Sequence, residues 1–381
     1  MVDGSEWGYM EKRNYGIDLL RVVSMLMIVV IHVLGAGGVI ATCSSGLIES
    51  VLWGPYIVVY CAVNCFALIS GYVLYSQERR NKGCTKYLEL WFQVWFYGLL
   101  ICTLLKVCNL GNVELKDFIK ALLPVTFNQY WYFTAYTGIA IFSPWLNLVI
   151  ARMNAKESVY FSIVIFMVFS CYSTFAGHLA GNPFDVNLGY SFVWLTVLYI
   201  LGAFIRKYED KLFRIKTYNF LALYVVMVFL TWCWKMYFGK ITKFLFGVVW
   251  GDKLFVSYIS PTILISASCL LIVFSRLTIG ENLKKVIRYI APASFGVYLL
   301  HVQPLVFENY IKGQFVWINN LDWYRVCPVI IGMSLVIFML GITIDRIRII
   351  LFKLIGVQVF ANKIEIKCKR IVNKIDKYLK V

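Results

Sequence analysis

The stretch Ile17-Asp18-Leu19-Leu20-Arg21-Val22-Val23-Ser24-Met25-Leu26-Met27-Ile28-Val29-Val30-Ile31-His32 decides the fold. With its apolar continuation to residue 40 it exceeds the roughly 20 residues that a membrane-crossing helix needs. It is too long for a signal peptide, and no suitable small-residue cleavage site follows it. Arg21 and His32 are 11 residues apart. At 3.6 residues per turn that separation closes to within ~20° of three full turns, so the two side chains share one face of a helix. The rise between them is ~16 Å, about half of a hydrocarbon core. Asp18, three residues before Arg21, is spaced to pair with it. The plain reading makes Arg21 an interfacial anchor and His32 a hydrogen-bonded packing residue. Their alignment and separation in depth favour a site, because a charge at mid-membrane costs at least ~2.5–3.5 kcal/mol on insertion scales.

The rest of the chain supports the membrane reading. It is 60% hydrophobic and only 15% charged over 381 residues, with a mean hydropathy of +0.73. Soluble domains are about 45–50% apolar and about 25% charged. We expect an all-α polytopic protein with about ten spans, at 17–40, 51–75, 88–108, 130–150, 158–178, 188–206, 218–238, 255–275, 289–310 and 326–352. The short apolar stretches 118–127 and 241–250 look interfacial or re-entrant. Of the 37 Lys and Arg residues, 27 fall at the N-terminus, in alternate loops and in the tail, against nine in the other loops. That asymmetry places both termini in the cytoplasm and requires an even number of spans. It also accounts for most of the +17 charge without nucleic acid as a partner. Residues 1–352 are expected to form the transmembrane domain. Residues 353–381 alternate Ile, Val and Leu with Lys and Arg, as in a short amphipathic helix on an anionic leaflet. Eleven cysteines lie mostly within apolar stretches, with no CxxC and three histidines, so neither a disulfide framework nor a metal site is expected. His301 falls inside the ninth span, as a second site histidine or a structural one, and His178 falls at the outer end of the fifth.

These residues resemble the acyltransferase-3 family of membrane acyltransferases, in its surface-polysaccharide O-acetyltransferase branch. The Arg21-to-His32 segment is similar to that family's first helix. Phe66-Ala67-Leu68-Ile69-Ser70-Gly71-Tyr72-Val73-Leu74 resembles the end of its second, Tyr130-Trp131-Tyr132-Phe133-Thr134-Ala135-Tyr136 to Asn147 its fourth, and Ser294-Phe295-Gly296-Val297-Tyr298-Leu299-Leu300-His301 its late histidine segment. Where many members carry an Arg-x-x-Arg pair, this chain reads Lys86-Tyr87-Leu88-Glu89.

The resemblance implies a protein of the bacterial inner membrane that moves an acyl group, commonly acetyl, from acyl-CoA to a hydroxyl of a cell-surface or lipid-linked carbohydrate, with no bound cofactor. Arg79, Arg80, Lys82 and Lys86 then form a basic rim for the donor, and Arg21, held by Asp18, orients a donor phosphate or carbonyl. His32 is a general base or a transient acyl carrier, with His301 facing it. Trp131 and Tyr132 meet the acceptor sugar or belong to an aromatic belt. The competing reading is a carrier or flippase for a glycolipid or anion, which would show no dependence on a thioester.

Overall fold

The structure, a computed structural model, describes residues 13–43, 46–75 and 83–379. Among them the chain is helical with irregular connections. Seven helices are long and apolar enough to cross a membrane, or up to nine if each of two bent pairs is one span. The principal helices are α1 (Tyr15–Ile31), α2 (Leu47–Val59), α3 (Ala62–Leu74), α4 (Thr85–Val107), α5 (Leu115–Leu122), α6 (Trp131–Arg152), α7 (Ala155–Ile165), α8 (Phe192–Lys207), α9 (Thr217–Cys233), α10 (Pro261–Ser275), α11 (Glu281–Ile290), α12 (Ser294–His301), α13 (Trp323–Leu354) and α14 (Val357–Leu379).

Each of the ten expected apolar stretches falls on helix, but three do not form continuous spans. The helix over Phe192–Lys207 is bent by 79° from the turns before it, and the one ending at His301 is bent by 60° from the turns after it. Pro304 stands at the second break, where a ring without an N–H cannot continue the helix. The stretch 255–275 shortens to Pro261–Ser275, with proline at the helix start. The piece at 118–127 becomes α5 followed by turns, and Tyr130 beyond it is buried with its hydroxyl on the Leu299 carbonyl at 3.2 Å. Helix α6 therefore begins inside the bundle beside α12.

Helix α1 is the hub. It packs against α2, α3, α10, α12 and α13. Ile17, Leu20, Met27, Ile28 and Ile31 join one core with α3, α8 and α10, whereas Met25, Val29, Val30, Val33 and Leu34 join a second with α4, α12 and α13. On a helical projection Arg21 and His32 fall in the gap between these two apolar faces.

Small residues set the closest crossing. A Cβ on Gly71 would stand 1.9 Å from the Tyr199 carbonyl oxygen, and one on Gly202 would stand 2.1 Å from that of Leu68. Helices α3 and α8 thus touch backbone to backbone, as membrane helices do where side chains are small. At the α4–α12–α13 junction, buried Asp345 accepts from Gln93 at 2.9 Å, Tyr97 at 2.8 Å and Arg348 at 2.6 and 3.0 Å. A Cβ on Gly296 would run into that carboxylate at 2.2 Å.

Helix α14 turns off α13 at Gly356 (φ +73°) and packs on α4. Glu365 accepts from the Thr85 N–H at 2.8 Å and its hydroxyl at 2.5 Å, and pairs with Lys369 at 2.6 Å. Lys369 and then Thr85 hold the Glu365 carboxyl down at about 2, from 4.5. Because the folded value is depressed, this contribution is present above the ordinary value and is lost as pH falls toward 2.

Gly202→Val should force α3 and α8 apart at a cost of about 1–3 kcal/mol, read as a lower melting temperature in detergent. A spin label at exposed Ile371 should become more mobile with Glu365→Ala, and in the wild type on acidification toward pH 2.

Candidate active site

The site begins at the start of α1. Asn14 caps the helix, its side-chain oxygen accepting from the Ile17 N–H at 3.2 Å while its amide donates to the Ser275 carbonyl at 2.8 Å. One turn on, buried Asp18 takes Arg21 on one oxygen at 2.9 Å and Arg13 on the other at 2.5 Å. The i, i+3 pairing expected for Asp18 and Arg21 is therefore formed, and Arg13 is an added partner that spacing did not single out. Arg21 donates through Nη1 to Asp18, and its side chain is 32% exposed.

At the far end of the same face α1 changes character. His32 opens a π-helical turn, His32–Ala36, in which the Gly37 N–H reaches back to the His32 carbonyl at 2.7 Å. Such turns insert one extra residue and often mark functional positions. The turn is pinned from outside: the Gly313 N–H donates to Ala36 at 2.9 Å and the Phe315 N–H to Gly37 at 3.0 Å. A Cβ on Gly37 would stand 2.7 Å from the Phe315 ring, so only glycine lets this connection close.

His32 Nδ1 lies 2.9 Å from His301 Nε2, and His301 Nδ1 lies 2.5 Å from the Val297 carbonyl. A carbonyl only accepts, so His301 Nδ1 carries a proton. In neutral His301 the Nε2 lone pair then accepts from His32 Nδ1–H, which leaves His32 Nε2 as a bare, basic nitrogen. This assignment follows from the hydrogen-bond network. The edge of Phe307, at 5.5 Å between ring centroids, covers the other side of His32.

An aromatic wall connects the two ends. Tyr132 lies within electrostatic reach of Arg21, as does Tyr136. Tyr132 meets Tyr298 at 6.4 Å, and Tyr298 meets His301 at 6.5 Å. The Tyr298 hydroxyl is buried with no hydrogen-bond partner among the described residues. From Trp131 a chain of rings runs through Tyr190 at 4.7 Å, Tyr258 at 5.1 Å, Tyr60 at 4.9 Å and Tyr56 at 5.2 Å. It ends where the Tyr56 hydroxyl would stand 3.1 Å from a Cβ on Gly35, one turn past His32.

Trp131 and Tyr132 are half-buried, and Tyr132 packs against Tyr298, the neighbour of His301. The cause is the early, interior start of α6. Arg79, Arg80 and Lys82 lie outside the described residues, and Lys86 is exposed on the first turn of α4. His178 is exposed and packs edge-on to Trp250 at 5.9 Å. Tyr56, Tyr60, Tyr190, Tyr258 and Phe307 carried no distinguishing signal in a sequence this rich in aromatics. Among the described residues no three His, Cys, Asp or Glu side chains converge to hold a metal ion.

A hydrogen-bonded pair of one half-buried and one buried histidine inside a multi-pass helical bundle, on the helix face that carries a partly exposed arginine, is equipment for proton or group transfer. Residues 14–344 match the model of the acyltransferase-3 family, described as an acyltransferase domain. The chain belongs to that family. It is also similar to an amino-acid racemase of Enterococcus faecalis, at 27% identity over 334 residues, which is 82% of this chain and 44% of that protein. The chain thus spans less than half the length of that relative. No solved structure matches it.

The tautomer assignment predicts an ¹⁵N spectrum in which His32 is protonated at Nδ1 and bare at Nε2. A proton on Nε2 in wild type would contradict the pairing with His301.

Proposed function

We propose that the chain is an O-acyltransferase, in the first instance an O-acetyltransferase, that takes an acyl group from acyl-CoA on the cytoplasmic side and places it on a hydroxyl of a cell-surface or lipid-linked carbohydrate. The observation that carries this reading is the bare Nε2 of His32, created by the His32–His301–Val297 relay at the deep end of the Arg21 face.

The uneven distribution of Lys and Arg supports a cytoplasmic location for the Arg21 end and for both termini, and ten crossings when the bent and shortened pieces are each taken as spans. The donor is a polyanion. It meets Lys86, and with it Arg79, Arg80 and Lys82, before its acyl end passes Arg21. The Arg21 guanidinium orients a phosphate or the thioester carbonyl, while Asp18 and Arg13 hold the group in place.

At His32 the chemistry takes one of two forms. As a general base, Nε2 takes the proton of the acceptor hydroxyl. The oxygen attacks the thioester carbon, the C–S bond breaks, and the proton passes to the leaving thiolate, giving ester and free CoA. As a nucleophile, Nε2 attacks the thioester carbon and the C–S bond breaks, leaving acyl-imidazolium and CoA thiolate; the acceptor hydroxyl then attacks that carbon, the C–N bond breaks, and the hydroxyl proton passes to the thiolate, giving ester, free CoA and neutral His32. In both forms His301 is a positioning residue: it fixes the tautomer of His32 and stabilises a positive imidazole. Half-buried Trp131 and exposed Tyr190, with Tyr132 at the boundary, suit the apolar face of a sugar ring. The relative named an amino-acid racemase makes an amino acid the next acceptor class to try.

His32→Ala, at matched expression in membranes, should lower acyl-CoA-dependent labelling of surface glycan by about a hundredfold or more. Arg21→Ala should raise the donor KM and lower turnover. His301→Ala should reduce turnover with little effect on donor KM. Labelling by His32→Ala at wild-type rates would remove the base and carrier roles together. Glycans whose mass does not change with the protein present or absent would favour a carrier.

A further inference from the structure

We propose that the crevice between α7, α8, α9 and α10 binds one anionic phospholipid, with an acyl chain inside it and the phosphate held at its cationic end by Lys211 and Arg276. This site is separate from the Arg21–His32 face. Ala267 and Leu271 of α10 belong to the core shared with α1, whereas Ser268, Cys269 and Ile272 line the crevice.

The occupant follows from the lining. The crevice holds about 420 Å³ between apolar side chains such as Ile163, Phe204, Leu223 and Ile265. Three serines also reach it, but their hydroxyls are spent on neighbouring backbone. Ser158 bonds the Asn154 carbonyl at 2.8 Å, Ser162 that of Ser158 at 2.7 Å, and Ser268 that of Leu264 at 3.0 Å. A polar ligand would lose its hydration here without replacement, and a hydrocarbon chain would not.

The headgroup follows from one end. Continuing the lining column of α10 by one turn past Ile272 leads to Arg276. Its guanidinium donates to the Leu212 carbonyl at 2.6 Å and the Ile215 carbonyl at 2.7 Å, and it covers the ring of Phe220, a lining residue, at 4.9 Å. It also donates to the Thr217 hydroxyl at 3.3 Å and covers the ring of Phe213 at 5.0 Å, which fixes its position at this end. On the other wall Lys211 lies over the ring of Tyr208 at 5.4 Å, and Tyr208, also lining, bonds Ser158 at 3.0 Å. Exposed Lys156 stands on the first turn of α7. The nearby carboxylates of Glu157 and Glu209 are engaged with the Asn154 N–H and with Arg206 and Tyr72. Asp210 is exposed. Because Asn14 bonds Ser275, this cationic end is the same end of the bundle as Arg21. That is where a leaflet's phosphates lie when the chain is in a membrane.

The test is native mass spectrometry of the full chain, purified in mild detergent and supplied with dioleoyl-phosphatidylglycerol or dioleoyl-phosphatidylcholine. One phosphatidylglycerol per chain should survive activation that strips phosphatidylcholine. Ser268→Trp, which fills the crevice, should lower its retention at least tenfold with unchanged circular dichroism. Lys211→Gln, a surface change that leaves the fold alone, should lower the preference for phosphatidylglycerol several-fold. Equal retention of the two lipids, or an unaltered preference in Lys211→Gln, would overturn the proposal. So would full retention by a folded Ser268→Trp.

Discussion

The hydrogen bond between His32 and His301 joins two residues 269 positions apart, and the geometry around the centre of the bundle depends on it. For the two rings to meet, α1 must leave regular helix at His32, and the π-turn supplies the offset. The helix ending at His301 must stop there and bend, which Pro304 enforces. The loop after that bend must return to the end of α1, where it pairs with Ala36 and Gly37. An imidazole deep in an apolar bundle needs a partner because no water is there to replace it. Here His32 and His301 satisfy one another, and the pairing leaves one nitrogen of His32 without a proton.

The same constraint acts elsewhere without creating a reactive group. Asp345 is fully buried and receives Gln93, Tyr97 and Arg348, so its charge is spent on assembly. Asp18 is also nearly enclosed, but both of its cations, Arg13 and Arg21, are partly exposed. Arg348 is 10% exposed against 32% for Arg21.

Much of the architecture was legible because hydropathy and helical phase are local properties. The apolar stretches fall on helices, the pairing of Asp18 with Arg21 follows from spacing, and the shared face of Arg21 and His32 from phase. Three spans broke or shortened where Pro304, Pro261 and the turns before Phe192 interrupt the ladder, and a hydropathy window averages across such breaks. The surroundings of Trp131 and Tyr132 were not legible for a related reason. They open an apolar helix, which reads as an interface position, but the segment before them folds back into the bundle and starts α6 at the depth of His301.

By itself the sequence determined that the chain belongs in a bilayer, that its first helix carries an arginine and a histidine on one face, and that Asp18 restrains the arginine. Each follows from composition or from repeat distance along one helix. Only the tertiary structure decided which nitrogen of His32 is free, because that depends on a ring and a carbonyl contributed by α12. It also decided that the tyrosines form a wall between the two ends and that Glu365 of the tail caps α4. Those contacts join helices distant in the chain, and no local period encodes which of many similar aromatic side chains will meet.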